Sequence, residues 1–362
     1  MSVPADAHRD ELAAVGPLDR DAMAEAQRRL DRLTKPPGSL GRLEELLVQL
    51  AGITGRADAP VDRRAIVLAA ADHGVARRGV SAYPAEVTAQ MVANFVAGGA
   101  AINALAAAVG ARLLIGDVGV AGPIPAVDLP GSSGGELIAA RIRAGTGDMT
   151  VEPAMTRAEA FDAIAVGRRV AAGVMAAGVD LIGIGEMGIG NTTAASALAA
   201  VFTDAPAESV TGRGTGVDDE GRHRKVEAIE RALELHAPDR ADPIDVLACV
   251  GGLEIAALVG VIIESVIGRV PVVLDGFITA SAALVAAAVD PGVADRLIAG
   301  HRSSEPGHAI VLEHLGLRPI LELDLRLGEG SGAAVAIGVI AAAAAVRDGM
   351  ATFDAAGVAG PS

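Results

Sequence analysis

Aromatic side chains are nearly missing from this 362-residue chain, which has no Trp, one Tyr and five Phe. Its core must be built from Ala, Val, Ile and Leu. One cysteine, Cys249, excludes an internal disulfide; its apolar surroundings mark it as a small buried hydrophobe, and a cytoplasmic location is expected. Surplus positive charge is missing too. Thirty Lys and Arg stand against 45 Asp and Glu, a net charge of −15. Nucleic-acid backbones and anionic membrane surfaces are held by excess Lys and Arg, so neither is an expected partner. The apolar runs at 332–346 and 255–263 fall short of the ~20 residues a membrane span needs. The first residues are charged and lack an apolar stretch, so no signal peptide is expected. Glycine, by contrast, is abundant at 45 residues without a G-x-y period, which excludes collagen and points to many tight turns and close backbone approaches.

Residues 19–33 place Met23, Ala26, Leu30 and Leu33 at helical spacing. Lys35-Pro36-Pro37-Gly38 interrupts the pattern, and residues 40–50 resume it. Apolar runs at 65–71, 113–117, 181–185, 271–275, 297–299 and 319–327 then read as strands. Helical stretches at 86–109, 157–177, 225–235 and 253–267 lie between most of them. Continuous apolar strands alternating with helices predict an α/β fold, a Rossmann-like parallel sheet flanked by helices. An Ala-rich helix at 333–347 closes the chain. The expected organisation is an N-terminal helical part (1–60), an α/β catalytic domain (61–332) and a C-terminal helical part (333–362). The two ends are expected to pack together as a small helical domain.

Ligands of open parallel sheets bind beyond the carboxyl ends of the strands, and four strand-end segments are rich in chemistry. The first runs from Asp72-His73-Gly74 through Tyr83, Glu86 and Thr88 to Gln90 and Met91. It is a polar loop feeding a helix, with the only Tyr placed to stack on a flat heterocycle. The second is Gly183-Ile184-Gly185-Glu186-Met187-Gly188-Ile189-Gly190-Asn191-Thr192-Thr193. Glycines before a helix expose N–H groups that bind phosphate. Gly183, Gly185 and Gly188 match the dinucleotide fingerprint only formally, because no second strand ends in an acid about 20 residues on. A carboxylate in an anion-binding turn would repel the anion, so Glu186 is expected to face ribose hydroxyls or to cap the helix.

The third segment, residues 211–225, is a glycine-rich turn with Asp218 and Asp219 as capping residues. Arg213, Arg222, Arg224 and Lys225 there can hold one anion. In the fourth, Leu327, Gly328, Glu329 and Gly330 set a single carboxylate between glycines at a strand end, where it can serve as general base or cap the last helix. His301, His308 and His314 have spacings that fit no common zinc pattern, so no metal is expected; Ser303 and Ser304 can donate to phosphate.

Seven ordered segments resemble one family, nicotinate-nucleotide:dimethylbenzimidazole phosphoribosyltransferase. They lie at 33–43, 72–75, 80–88, 185–193, 274–277, 301–305 and 326–332, and span nearly the whole chain. The resemblance implies transfer of the ribose phosphate of nicotinate mononucleotide to 5,6-dimethylbenzimidazole, giving α-ribazole 5′-phosphate and nicotinate. It implies no cofactor, and a homodimer. Matched by position, Glu329 corresponds to the general base and Glu186 to a second carboxylate near the ribose. Lys225 corresponds to a lysine at the phosphate end. The turn containing Gly188, Gly190, Asn191 and Thr192, with Ser303, corresponds to the phosphate cradle, and Met187, Leu327 and Gly328 to the lining of the base pocket. Some members have Ser and Gln touching the benzimidazole where Tyr83 and Met91 stand here, with Gln90 adjacent. The rival readings are a nicotinamide-dependent oxidoreductase using residues 183–188 and a non-catalytic mononucleotide sensor.

Overall fold

The computed structural model describes residues 15–127, 129 and 133–359. The expected lack of a signal peptide concerns residues outside this range. The described chain opens with helices α1 (Arg20–Asp31) and α2 (Arg42–Thr54), then strand β1 (Arg64–Ala71). Helices α3 (Glu86–Ala97) and α4 (Ala101–Ala108) lead to β2 (Ala111–Gly119) and β3 (Glu136–Ala139). Next come α5 (Arg157–Ala176), β4 (Leu181–Met187), α6 (Asn191–Thr203), α7 (Ala207–Val210), α8 (Asp219–His236), α9 (Pro243–Val250) and α10 (Leu253–Ile267). The chain closes with β5 (Val272–Leu274), α11 (Phe277–Val289), β6 (Leu297–Ala299), α12 (Pro306–His314), α13 (Ser331–Gly349) and α14 (Phe353–Ala356).

The six strands form one parallel sheet in the order β3-β2-β1-β4-β5-β6. The order reverses between β1 and β4, so a crevice opens beyond their carboxyl ends, where such folds bind ligands. Both faces are covered, as the unbroken apolar strands predict. Along β1, Ala65, Val67, Ala69 and Ala71 enter one core, while Ile66, Leu68 and Ala70 enter the other. On the first face α5 and α10 touch backbone to backbone: a Cβ on Gly167 or Gly260 would overlap the carbonyls of Ala257 or Ile164.

On the second face the N-terminal and C-terminal helical segments of the described chain meet. Leu33 bridges to Thr352, and the Arg347 guanidinium reaches the Ala59 carbonyl at 2.7 Å. Leu30, Leu33, Leu46 and Leu50 share one core with Ile66, Leu181 and Val273 of the sheet and with Ala333, Ile337 and Ile340 of α13.

Three local expectations are corrected. Residues 319–327 are not a strand: Leu321 alone bridges to His301, Asp324 turns to φ +55°, and Leu323 and Leu327 are exposed. The segment does touch the end of β6, with Ile320 N donating to the Ala299 carbonyl and Leu321 N to that of Gly300, but the pairing is too intermittent to make a strand. The helix expected at 86–109 breaks after α3, where Gly98 (φ +89°) caps it. The last helix is 19 residues, longer than the apolar run suggests. It and the stretch Glu86–Ala108 are long and apolar enough to cross a membrane, although Ala333, Ala334, Ala336, Ile337 and Ile340 of α13 are buried in the protein core.

Candidate active site

The sequence places a carboxylate one residue before the end of β4, and the pleat turns Glu186 into the crevice, where it is 5% exposed. Glycine then builds the turn into α6. At Gly188 a Cβ would overlap the Ala71 carbonyl, and Gly190 holds φ +99°. Asn191, the first residue of α6, donates its side-chain N–H to Glu186 Oε2. Thr88 Oγ1 accepts from Ile189 N at 3.1 Å and ties the start of α3 to this turn. Helix N-termini suit anions; at this one Asn191 N donates to the Gly188 carbonyl at 3.1 Å and Thr193 N to that of Gly190 at 3.0 Å.

Glu329 lies directly across. Gly328 (φ +82°), Glu329 (φ +63°) and Gly330 (φ +82°) are three successive left-handed residues. That conformation costs a glutamate roughly 1–2 kcal/mol, and such strain concentrates at functional sites. A Cβ on Gly328 would stand 2.5 Å from Glu186 Oε1, so glycine is needed for both space and angle. A Cβ on Gly185 would overlap the Gly330 amide, which brings the turn against β4.

A third carboxylate holds that turn. Asp275, just past β5, accepts from Gly330 N at 3.0 Å, Gly332 N at 2.6 Å and Ala333 N at 3.2 Å. Burial pushes Asp275 up to about 7 against the pull of those three amides. Burial, then the charge of Asp275, lifts Glu329 to about 7. Glu186 is raised well above the ordinary range by burial, then by Asp275 and Glu254. The basic neighbour is His301 Nε2, 3.7 Å from Asp275, and burial lowers its pKa. The site can therefore take a proton near neutrality, and in its ionised form it favours a positively charged ligand.

A second polar cluster lies at the other side of the α6 N-terminus. Lys225 is fully buried and donates to Thr192 Oγ1 at 2.9 Å. Burial lowers it to about 8, opposed by Glu305. Glu305 accepts from Gly214 N at 2.9 Å and its own amide donates to Ser303 Oγ at 3.1 Å, while Ser303 N donates to His308 Nδ1 at 3.0 Å. Thr192, Lys225 and Ser303 thus converge through the glycine-rich turn at 211–216. Asp218 caps α8 as expected, accepting from Gly221 N at 2.8 Å.

The loop with Tyr83 is roped to that turn: Ser81 Oγ and the Ala82 amide both meet Thr215 Oγ1. Tyr83 and Leu327 are each 55% exposed, Gln90 is exposed, and Met91 and Met187 are partly buried against the second core. None of these five makes a hydrogen bond to the carboxylates among the described residues. His73, which the sequence places in a polar loop, is instead buried beneath the Gly188 turn, with Nε2 2.7 Å from Glu254 Oε1. Sequence reasoning does not single out Asp275, Glu254 or Glu305 as site residues. Asp275 does follow an apolar run, the same signal that marks Glu186.

A family profile described as Phosphoribosyltransferase (DBI_PRT) matches residues 15–358. A protein of Chloroflexus aggregans named nicotinate-nucleotide–dimethylbenzimidazole phosphoribosyltransferase is 54% identical over 344 residues, covering 95% of this chain and 96% of that relative. One of the same name from Desulforudis audaxviator is 51% identical over 98% of both chains. A crystal structure of CobT from Thermus thermophilus superposes with a TM-score of 0.87 at 48% identity, covering 94% of this chain and all of that one. With that extent of likeness, this chain belongs to the nicotinate-nucleotide–dimethylbenzimidazole phosphoribosyltransferase family.

Proposed function

We propose that the chain transfers the phosphoribosyl group of nicotinate mononucleotide to 5,6-dimethylbenzimidazole, yielding α-ribazole 5′-phosphate and nicotinate for assembly of the cobalamin nucleotide loop. The observation that carries this reading is charge placement: three buried carboxylates gather beside an anion site built from helix N–H groups and Lys225. Nicotinate mononucleotide has the matching polarity, a cationic pyridinium at one end and a phosphate at the other.

The chemistry follows from that polarity. The benzimidazole nitrogen attacks C1′ of the ribose from the face opposite the pyridinium, converting a β-linked nucleotide into an α-linked one. The C1′–N bond breaks and its electron pair stays on the departing ring, which becomes neutral. The benzimidazole N–H proton passes to Glu329, whose pKa of about 7 suits a general base at neutral pH. Glu186 faces the ribose and stabilises oxocarbenium-like positive charge at C1′. Thr192, Lys225, Ser303 and the α6 N-terminus hold the phosphate, while Met187, Leu327, Gly328, Tyr83, Gln90 and Met91 border the bases. The chain acts in the cytoplasm as a homodimer.

Mass spectrometry of products formed from nicotinate mononucleotide with a panel of benzimidazoles and purines tests the reading. Formation of the α-linked nucleotide with release of nicotinate is expected. Binding of the mononucleotide without any product, or binding of NAD without affinity for the mononucleotide, rejects it.

A further inference from the structure

Glu329 is asked to meet the incoming base from a backbone conformation that glutamate avoids, between two glycines that impose no preference of their own. Something outside the 328–330 turn must fix it. The amides that follow it supply the handle. Gly330 N donates to Asp275 Oδ2, and Gly332 N and Ala333 N donate to Asp275 Oδ1, so both oxygens of one side chain are engaged. Asp275 is 1% exposed and leads from β5, a central strand, into α11.

We propose that Asp275 is a positioning residue for the transfer reaction: its carboxylate clamps the turn after Glu329 to the rigid sheet and thereby aims the base. This rests on the reading of Glu329 as general base. The clamp has a second effect, because Asp275 also places a negative charge beside Glu329 and Glu186. The titratable groups facing these carboxylates are Glu186 from β4, Asp275 from β5, His301 beyond β6 and Glu254 at the start of α10. A like charge raises the proton affinity of a carboxylate. Asp275 therefore sets both where Glu329 points and the pH at which it becomes a base.

Asp275→Asn keeps the volume, removes the charge and replaces one acceptor with an N–H donor. The kcat at pH 8 is expected to fall about 100-fold, and the KM for nicotinate mononucleotide to rise by much less than that, since Lys225 and the α6 N-terminus are not involved. The acid limb of kcat/KM for the benzimidazole should move down by about one pH unit. Asp275→Glu keeps the charge but displaces it, so its kcat should fall with the acid limb in place. An Asn variant with wild-type kcat, or with an unmoved acid limb, overturns the proposal. Should that variant not fold, amide hydrogen exchange of the wild-type chain decides: Gly330, Gly332 and Ala333 should be protected about 1,000-fold or more, and free exchange refutes the clamp. If wild-type enzyme itself makes no product, the reaction assigned above fails, while the exchange measurement still tests the clamp.

Discussion

Replacing Glu329 by Gln removes one titrating proton and almost no volume, so it isolates what the buried acid costs the fold. An unfolded glutamate ionises at about 4.5, whereas in the folded chain burial and Asp275 raise that to about 7. Between those values the folded state binds more protons than the unfolded state, so stability falls as pH rises. The shift amounts to about 3 kcal/mol by pH 8 and to about 1 kcal/mol or less at pH 5. Gln does not ionise and escapes this loss. With an unfolding entropy of ~2.1 cal/mol/K per residue, 3 kcal/mol corresponds to a Tm gain of about 4 °C for a chain of this length. Calorimetry of both proteins at pH 5 and pH 8 reads the effect directly. The variant should melt higher at pH 8, the gap should mostly close at pH 5, and kcat should drop by about 10²-fold or more. A variant no more stable at pH 8, or with an equal gap at both pH values, would refute the reasoning about Glu329.

Four further outcomes are expected. Lys225→Ala should raise the KM for the nucleotide roughly 10- to 100-fold, as loss of a charged hydrogen bond does, with a smaller change in kcat; steady-state kinetics decide it. Gly328→Ala forces a left-handed alanine and a Cβ 2.5 Å from Glu186 Oε1, so kcat should fall at least about tenfold with about 1–2 kcal/mol of lost stability in denaturant titration. Gly260→Ala should destabilise by about 3 kcal/mol, the range for overpacking, because α5 and α10 must separate; an unchanged Tm would contradict the backbone contact. Activity should persist in excess EDTA, since the departing ring leaves neutral; loss restored by Mg²⁺ would point to a diphosphate substrate.

The sheet is readable in the sequence where burial is two-sided. β1 from Ala65 onward and β4 up to Gly185 are unbroken runs of Ala, Val, Ile, Leu and Gly because both faces meet core. β3 escapes notice for the opposite reason: Glu136–Ala139 is a four-residue edge strand whose side chains are mostly exposed. The false strand at 319–327 meets the end of β6 at only a few backbone hydrogen bonds, and its side chains at Leu323 and Leu327 stay exposed. Glu186, Glu329 and Lys225 are visible because each follows a local signal, a strand end, a glycine turn or a helix start. Asp275 shares the strand-end signal, but its role is hidden, since its partners are amides 55–58 residues further on and nothing local announces them. The pairing of His73 with Glu254 spans 181 residues and is equally silent.

The carboxylate trio also bears on what happens after the bond breaks. The ring proposed to sit beside it is positive until the C1′–N bond breaks and neutral afterwards, while the acid group of nicotinate is anionic throughout. Whatever negative charge the trio carries at a given pH therefore favours the intact nucleotide over the freed nicotinate, and ionising the trio should ease departure of the spent half of the substrate.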